Sequence, residues 1–187
     1  MPKRKQIRFV IDTDITSAAS EKSCKLPTNC RIFLQTMMRC GHCIVFTPDL
    51  QAEWRRRRSG WSRRWRSYMH GMGLVHDIRK DCRDKKLREK IKRFASEDES
   101  QRDNLIEDML KDVHLLEAAL ITDKRIASRN DTQREDFARA SRSAMRIGMI
   151  KKIMWVNPAV ENEYCLNWLK KGAPVEPERQ LGYLVSR

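Results

Sequence analysis

The sequence predicts an α/β fold with three layers, a central parallel sheet covered by helices on both faces. Short apolar runs recur along the chain: IRFVID (7–12), CIVF (43–46), RIAS (125–128) and IKKIMWVNP (150–158). They are nearly continuous rather than alternating, which suits strands buried on both faces. Between them lie longer segments with apolar residues at helical spacing. The resulting order is strand, helices, strand, helices, strand, helix, strand, helix. A length of 187 residues is enough for one domain with a sizeable core.

The first run ends in an acid, so Asp12 stands at the carboxyl end of a strand, where parallel sheets bind ligands. Thr13 and Asp14 follow, and either caps a helix that begins near Ile15. For Asp12 itself, capping and metal ligation are both open. Residues 25–29 contain Pro27 and read as a loop, and residues 30–40 as a helix with Ile32, Phe33, Thr36, Met37 and Cys40 on one face, ended by Gly41. After the second strand, Thr47 caps a helix with Pro48 at its first position. On it, Glu53 points either into the cleft or to Arg57, four residues on.

Residues 54–66, WRRRRSGWSRRWR, carry seven arginines (Arg55, Arg56, Arg57, Arg58, Arg63, Arg64 and Arg66) between Trp54, Trp61 and Trp65. Arginine grips phosphate bidentately and tryptophan stacks on bases; core packing is the better account of the rings, while the arginines are still expected to help bind nucleic acid. The tryptophans share a face if the helix continues through Gly60. Residues 77–99 read as an exposed charged helix anchored by Ile78, Leu87, Ile91 and Phe94, and 96–100 as a loop. The helical stretch between the second and third strands, about 54–121, is unusually long.

Its last part is an amphipathic helix with Leu105, Met109, Val113, Leu116 and Leu120 in one stripe, and Asp112 lies inside that stripe. A bare carboxylate on a buried face is costly unless paired, and a divalent cation is one partner that offsets the cost. The strand 125–128 follows, then Arg129, Asn130 and Asp131. Thr132 and Glu135 fit a capping box for the next helix. A helix over 160–171, ended by Gly172, and a tail over 172–187 complete the chain.

Lys and Arg number 39 against 25 Asp and Glu, a formal net charge of +14, which favours polyanionic partners; a soluble chain that simply uses many arginines is the alternative. No window holds 18 apolar residues, and the basic amino terminus is followed by too short an apolar run for a signal peptide, so no membrane association and a cytoplasmic location are expected. The six cysteines are then expected to be reduced. Cys40-Gly41-His42-Cys43 has zinc-like spacing, but only Cys24 and Cys30 are at hand to complete four ligands, so buried packing is the better account. There is no GxGxxG, Walker A loop, GxSxG elbow or HExxH pair.

Asp12, Glu53 and Asp112 come from three separate strand or helix ends. Clustered without a cation they would repel one another, and oxygen donors of this kind suit Mg²⁺ or Mn²⁺. The order VIDTD, TPDLQAEW, KDVHLLEAAL, RIASRNDTQREDF resembles the PIN-domain nucleases, and among them the bacterial PIN-like group that includes toxin ribonucleases. The resemblance spans about 7–157. It leaves 59–100 as a basic helical insertion and 172–187 as a carboxyl-terminal extension of a single PIN-like domain. It implies metal-dependent hydrolysis of RNA phosphodiesters, with Asp12, Glu53 and Asp112 as metal ligands. The fourth polar position falls on Asn130, where the family often has an acid, with Asp131 beside it. Ser128, Thr13, Asp14 and His114 take supporting roles, and the seven arginines hold RNA. RNA is the implied partner, and a small antitoxin-like protein a second. The arginine-rich helix is equally a candidate face for a homodimer. A PIN-like domain that binds RNA without catalysis is the alternative function.

Overall fold

The computed structural model describes residues 6–20, 25–57, 59–97, 104–143 and 147–183. Five strands form one parallel sheet: β1 (Arg8–Ile11), β2 (Cys43–Phe46), β3 (Val75–Asp77), β4 (Arg125–Ala127) and β5 (Met154–Val156), in the order β3-β2-β1-β4-β5. The register pairs Phe9 with Ile44 and Val10 with Ile126. Residues 9–11 and all of β2, β4 and β5 are buried, as expected of strands covered on both sides.

Eight α-helices cover the sheet among the described residues: α1 (Thr13–Ser20), α2 (Lys25–Arg39), α3 (Pro48–Arg56), α4 (Gly60–Gly71), α5 (Lys85–Glu97), α6 (Leu105–Leu120), α7 (Asp131–Arg142) and α8 (Cys165–Lys170). They fall into two packed groups. α1 packs on α2 and α4, and α2 on α8; α6 packs on α3, α5 and α7. Phe9 meets Phe33 of α2 and Trp168 of α8 edge-on, while Phe137 of α7 packs on Trp155. No helix among the described residues is long and apolar enough to cross a membrane.

Several expectations change. The third strand, β3, interrupts the stretch read as wholly helical, so the sheet has five strands and not four. Pro27 does not mark a loop: α2 starts at Lys25, and a proline in the first turn loses no helical hydrogen bond. The buried face of α2 includes Cys30, Phe33, Leu34 and Met37, while Ile32 is exposed. The helix does not run through Gly60. A new one begins there, with Ser59 and Ser62 in a reciprocal capping box. Asn130, not Thr132, caps α7 by accepting the Gln133 N–H at 3.1 Å. The segment 160–171 is a 3₁₀ turn (Glu161–Glu163) and then α8, divided by Tyr164 at φ 47°. The loop read at 96–100 holds only in part: Ser96 and Glu97 end α5, and 98–100 lie outside the described residues.

The carboxyl-terminal segment is tied to the sheet rather than extended away from it. Gln180 bridges Met154 antiparallel, and the Leu181 N–H donates to the Ile153 carbonyl at 2.9 Å. Gly182 is required there, since a Cβ would stand 2.8 Å from that of Lys151. Arg125, buried at the start of β4, donates from Nη2 to the Ala173 carbonyl at 2.9 Å. On the other face, Glu117 of α6 accepts from Arg88 Nε at 2.8 Å and Nη2 at 2.7 Å, and from the Asp84 N–H at 2.8 Å, which fixes α5 to α6.

Candidate catalytic and metal site

The strand order reverses between β1 and β4. From β1 the chain moves outward to β2 and β3, then returns to the other side for β4 and β5. At such a switch point the connections leave in opposite directions and open a crevice beyond the carboxyl ends of the two strands. Asp12 follows β1 and Ser128 follows β4, one on each side of that crevice. The Asp12 N–H continues the ladder to the Ala127 carbonyl at 3.0 Å, and the Ser128 N–H to that of Val156 at 3.1 Å. Their side chains therefore meet: Ser128 Oγ donates to Asp12 Oδ2 at 2.7 Å.

Asp12 Oδ1 accepts the Asp14 N–H at 3.3 Å. Asp12 is thus the residue that caps α1, and Thr13 and Asp14 are its first helical residues. Asp12 is only 8% exposed. Asp14 reaches across to β4, where its Oδ2 accepts the Arg129 N–H at 2.8 Å, while its Oδ1 is buried with no partner among the described residues.

Glu53 sits on α3 and is clamped at both oxygens. Thr13 Oγ1 donates to Oε1 at 2.7 Å and His114 Nε2 to Oε2 at 3.1 Å. The pairing with Arg57 is not made; Arg57 is exposed. His114 Nδ1 faces the Lys111 carbonyl at 2.9 Å. Both ring nitrogens therefore meet acceptors, which favours imidazolium.

Asp112 lies half-buried on α6, at the edge of the stripe formed by Leu105, Met109, Val113 and Leu116 rather than inside it. Its Oδ2 accepts from Asn130 Nδ2 at 3.4 Å. Of the two candidates after β4, Asn130 is the one that reaches Asp112. Asp131 turns away, accepting from Asn157 Nδ2 at 2.8 Å and lying 3.8 Å from Arg134.

The carboxyls sense one another. Burial pushes Asp12 above its usual range, and the negative charge of Glu53 adds to this while Ser128 opposes it. Burial and then the charge of Asp12 push Asp14 up to about 7. The same two causes push Asp112 up to about 6. For Glu53 burial acts upward, but the bonds from His114 and Thr13 outweigh it and hold the carboxyl below its ordinary value. Burial lowers His114, and Glu53 more than restores it, so the imidazole is raised.

Among the described residues, no three His, Cys, Asp or Glu side chains already stand in a liganding group. The chemistry of the donors still suits a hard cation. Among the described residues Asp12, Asp14 and Asp112 form no ion pair with arginine or lysine, and Asp14 keeps an unpartnered buried oxygen. A divalent ion is the group that would relieve both conditions.

The basic surface divides by role. Trp54 and Trp65 are buried and Trp61 is packed against the core, with the rings stacked in series at 6.2 and 6.3 Å between centroids. The Trp54 indole donates to the Ile11 carbonyl at 3.2 Å. These three tryptophans are therefore core rather than an exposed stacking surface. Arg66 lies over Phe46 at 4.2 Å. Arg55, Arg56, Arg57, Arg63 and Arg64 are exposed and form no ion pair among the described residues, Arg55 only approaching Gln51 at 3.4 Å. Arg58 lies outside the described residues. In the zinc-like motif both His42 nitrogens are engaged, Nδ1 by the Ile7 N–H at 3.4 Å and Nε2 by the Leu169 carbonyl at 3.2 Å. Cys24 lies outside the described residues.

Sequence reasoning did not find the Glu53–His114 clamp or the cross-strand bond from Asp14 to Arg129. Glu53 and His114 are 61 residues apart, and no local pattern marks them as neighbours. Comparison with protein-family models, with curated proteins and with solved structures gives no match.

Proposed function

We propose that this protein is a metal-dependent endoribonuclease of PIN-domain type, hydrolysing RNA phosphodiester bonds at the β1–β4 switch point. One observation carries the reading. In a chain of net charge +14, the carboxyls of Asp12, Asp14 and Asp112 gather at the sheet's carboxyl end with no basic side chain among the described residues paired to them. Such clusters cost stability and are characteristic of sites that work on a charged ligand.

Asp12, Glu53 and Asp112 would hold Mg²⁺ or Mn²⁺, with the free Asp14 oxygen available as a further donor. The cation supplies an activated water and neutralises charge that builds on phosphate. Ser128 fixes the Asp12 carboxylate in one orientation, and the Arg129 N–H does the same for Asp14. Asn130 steadies Asp112 while capping α7. Thr13 and His114 set the position of Glu53. Exposed Arg55, Arg56 and Arg57, with Arg63 and Arg64, hold the RNA backbone. A small antitoxin-like protein is the regulator that this reading implies.

The test is incubation of purified protein with end-labelled RNA and Mn²⁺ or Mg²⁺. Cleavage is expected with either metal, and its loss in EDTA and in Asp112→Asn. Cleavage that persists in both controls overturns the assignment.

A second reading, RNA binding without catalysis, is favoured by Asn130 in place of an acid and by the occupied oxygens of Glu53. Tight RNA binding that falls steeply with salt, together with no calorimetric signal for Mn²⁺, decides for it.

A further inference from the structure

We propose that a recess on α4 seats one unpaired nucleotide of an RNA strand, its base stacked on Tyr68 and its phosphate held by Arg63 and Arg64. The recess measures about 420 Å³ and is lined by Gly60, Arg63, Arg64, Ser67 and Tyr68. That is within the size of small-ligand clefts, about 300–1,000 Å³. The identity of the polymer as RNA rests on the function proposed above; the recess adds that the strand is single.

The packing of α4 makes the recess. Its buried side takes Trp65 and Met69, and Trp61 stacks inward, so the tryptophans belong to the core. Tyr68 is the aromatic that remains outside, 67% exposed, with no ring contact and no hydrogen bond of its hydroxyl among the described residues. Arg64 and Tyr68 are four apart, and so are Gly60 and Arg64, which puts all three on one face. Gly60 contributes no side chain, so that end of the recess is backbone.

The charge on this face is uncompensated. α4 contains no acidic residue. Arg63 and Arg64 make no ion pair among the described residues, whereas Arg83, Arg88, Arg134 and Arg179 each hold a carboxylate. Two guanidiniums beside an exposed ring combine phosphate grip with a sequence-tolerant stacking platform, the pairing that single-strand binders use. A base inside a duplex already has both faces stacked and cannot offer one to Tyr68.

The position fits a strand that also reaches the acids. The head of α4 is bonded to the end of α1 through Ser59 and Ser20 hydroxyls at 2.5 Å, and α1 starts beside Asp12. Eight residues at ~1.5 Å each put the two ends of α1 about 12 Å apart, so the head of α4 stands about one length of α1 from the start of that helix.

The test is fluorescence anisotropy of labelled single-stranded and duplex RNA of equal length, in EDTA so that nothing is cut. Tyr68→Ala is expected to weaken single-strand binding about 5- to 30-fold, to leave duplex binding unchanged and to be rescued by Tyr68→Phe. Arg63→Gln with Arg64→Gln is expected to weaken both and to lower the salt slope on single strands by about 0.7 for each phosphate no longer neutralised. Equal weakening on both RNAs, no weakening, or displacement of RNA by polyglutamate but not by a second single strand overturns the proposal. The two readings fail separately. Selective binding through Tyr68 without metal-dependent cleavage sinks the hydrolase alone, and cleavage with unchanged Tyr68→Ala binding sinks the recess alone.

Discussion

Asp14 offers the sharpest quantitative check on the acid cluster. Its carboxyl is pushed from 3.8 to about 7 by burial and by the charge of Asp12. Between those two values the folded protein holds a proton that the unfolded chain has lost, so stability falls as pH rises through the window. The penalty is complete above pH 7 and gone near pH 4. About three pH units correspond to about 4 kcal/mol as an upper limit, and relaxation around a group that is not fully enclosed brings this to about 2 kcal/mol. For a domain of this size that is about 4–8 °C in Tm. Asp14→Asn keeps an oxygen for the Arg129 N–H and removes the charge. In EDTA at pH 8 the variant is expected to melt about 4–8 °C above the wild type, with the gap shrinking below pH 7 and closing near pH 4. Comparing the two proteins cancels the general cost of added positive charge at low pH. Mn²⁺ at a hundred times its Kd for the wild type adds about 2.7 kcal/mol to it and less to the variant, which has lost a donor, so the gap at pH 8 is expected to narrow. Scanning fluorimetry in both conditions gives the answer. A variant no more stable than the wild type at pH 8, or a gap that stays constant from pH 8 to 4, refutes the reasoning.

Three further outcomes are expected. Glu117→Ala removes a carboxylate only 2% exposed and leaves the Asp84 N–H and Arg88, itself 27% exposed, without their acceptor, which should cost about 2–3 kcal/mol by urea unfolding. Glu89→Ala, from the exposed pair with Lys92, should cost under about 1 kcal/mol, and equal losses in the two would void the distinction. Asn130→Asp keeps the α7 cap and adds a carboxylate beside Asp112. Mn²⁺ affinity by calorimetry should rise, and an unchanged affinity would remove position 130 from the site.

The switch point was legible because its signals are local. IRFVID carries its own terminating acid, and RIAS is followed at once by Arg129 and Asn130. The Thr47 cap and Pro48 mark the helix that brings Glu53. What was missed depends on neighbours remote in sequence. β3 is an edge strand, and its Val-His-Asp has no apolar run because its residues are half-buried or exposed. Pro27 reads as a break, but it stands in the first turn of a helix, where a missing N–H costs little. At Gly60 the sequence leaves the reading open, and a new helix begins there. The arginine-rich segment showed which residue types were present and not which way they face. The stacking of Trp54, Trp65 and Trp61 into the core leaves Tyr68 as the exposed tyrosine of α4.

The two ends of the charge distribution explain one another. Arginines were available to neutralise the acids, and the chain uses them that way elsewhere: Glu163 has Arg134 and Arg179, Asp123 has Arg8, and Asp49 has Arg83. Asp12, Asp14 and Asp112 have none among the described residues, although burial raises the pKa of each. A fold selected for stability alone would pair or remove them. Under the proposed function, a bound cation would supply the positive charge they lack, and the exposed arginines of α3 and α4 would meet a negative partner. A cation and a phosphate chain, the two ligands of the proposed function, would complete both surfaces at once. Under that reading Glu53 would decide how readily the cation is taken up. Freeing its oxygens from Thr13 and His114 would give up two charge-assisted hydrogen bonds, about 3–6 kcal/mol together, and so about two to four decades of affinity if nothing replaces them.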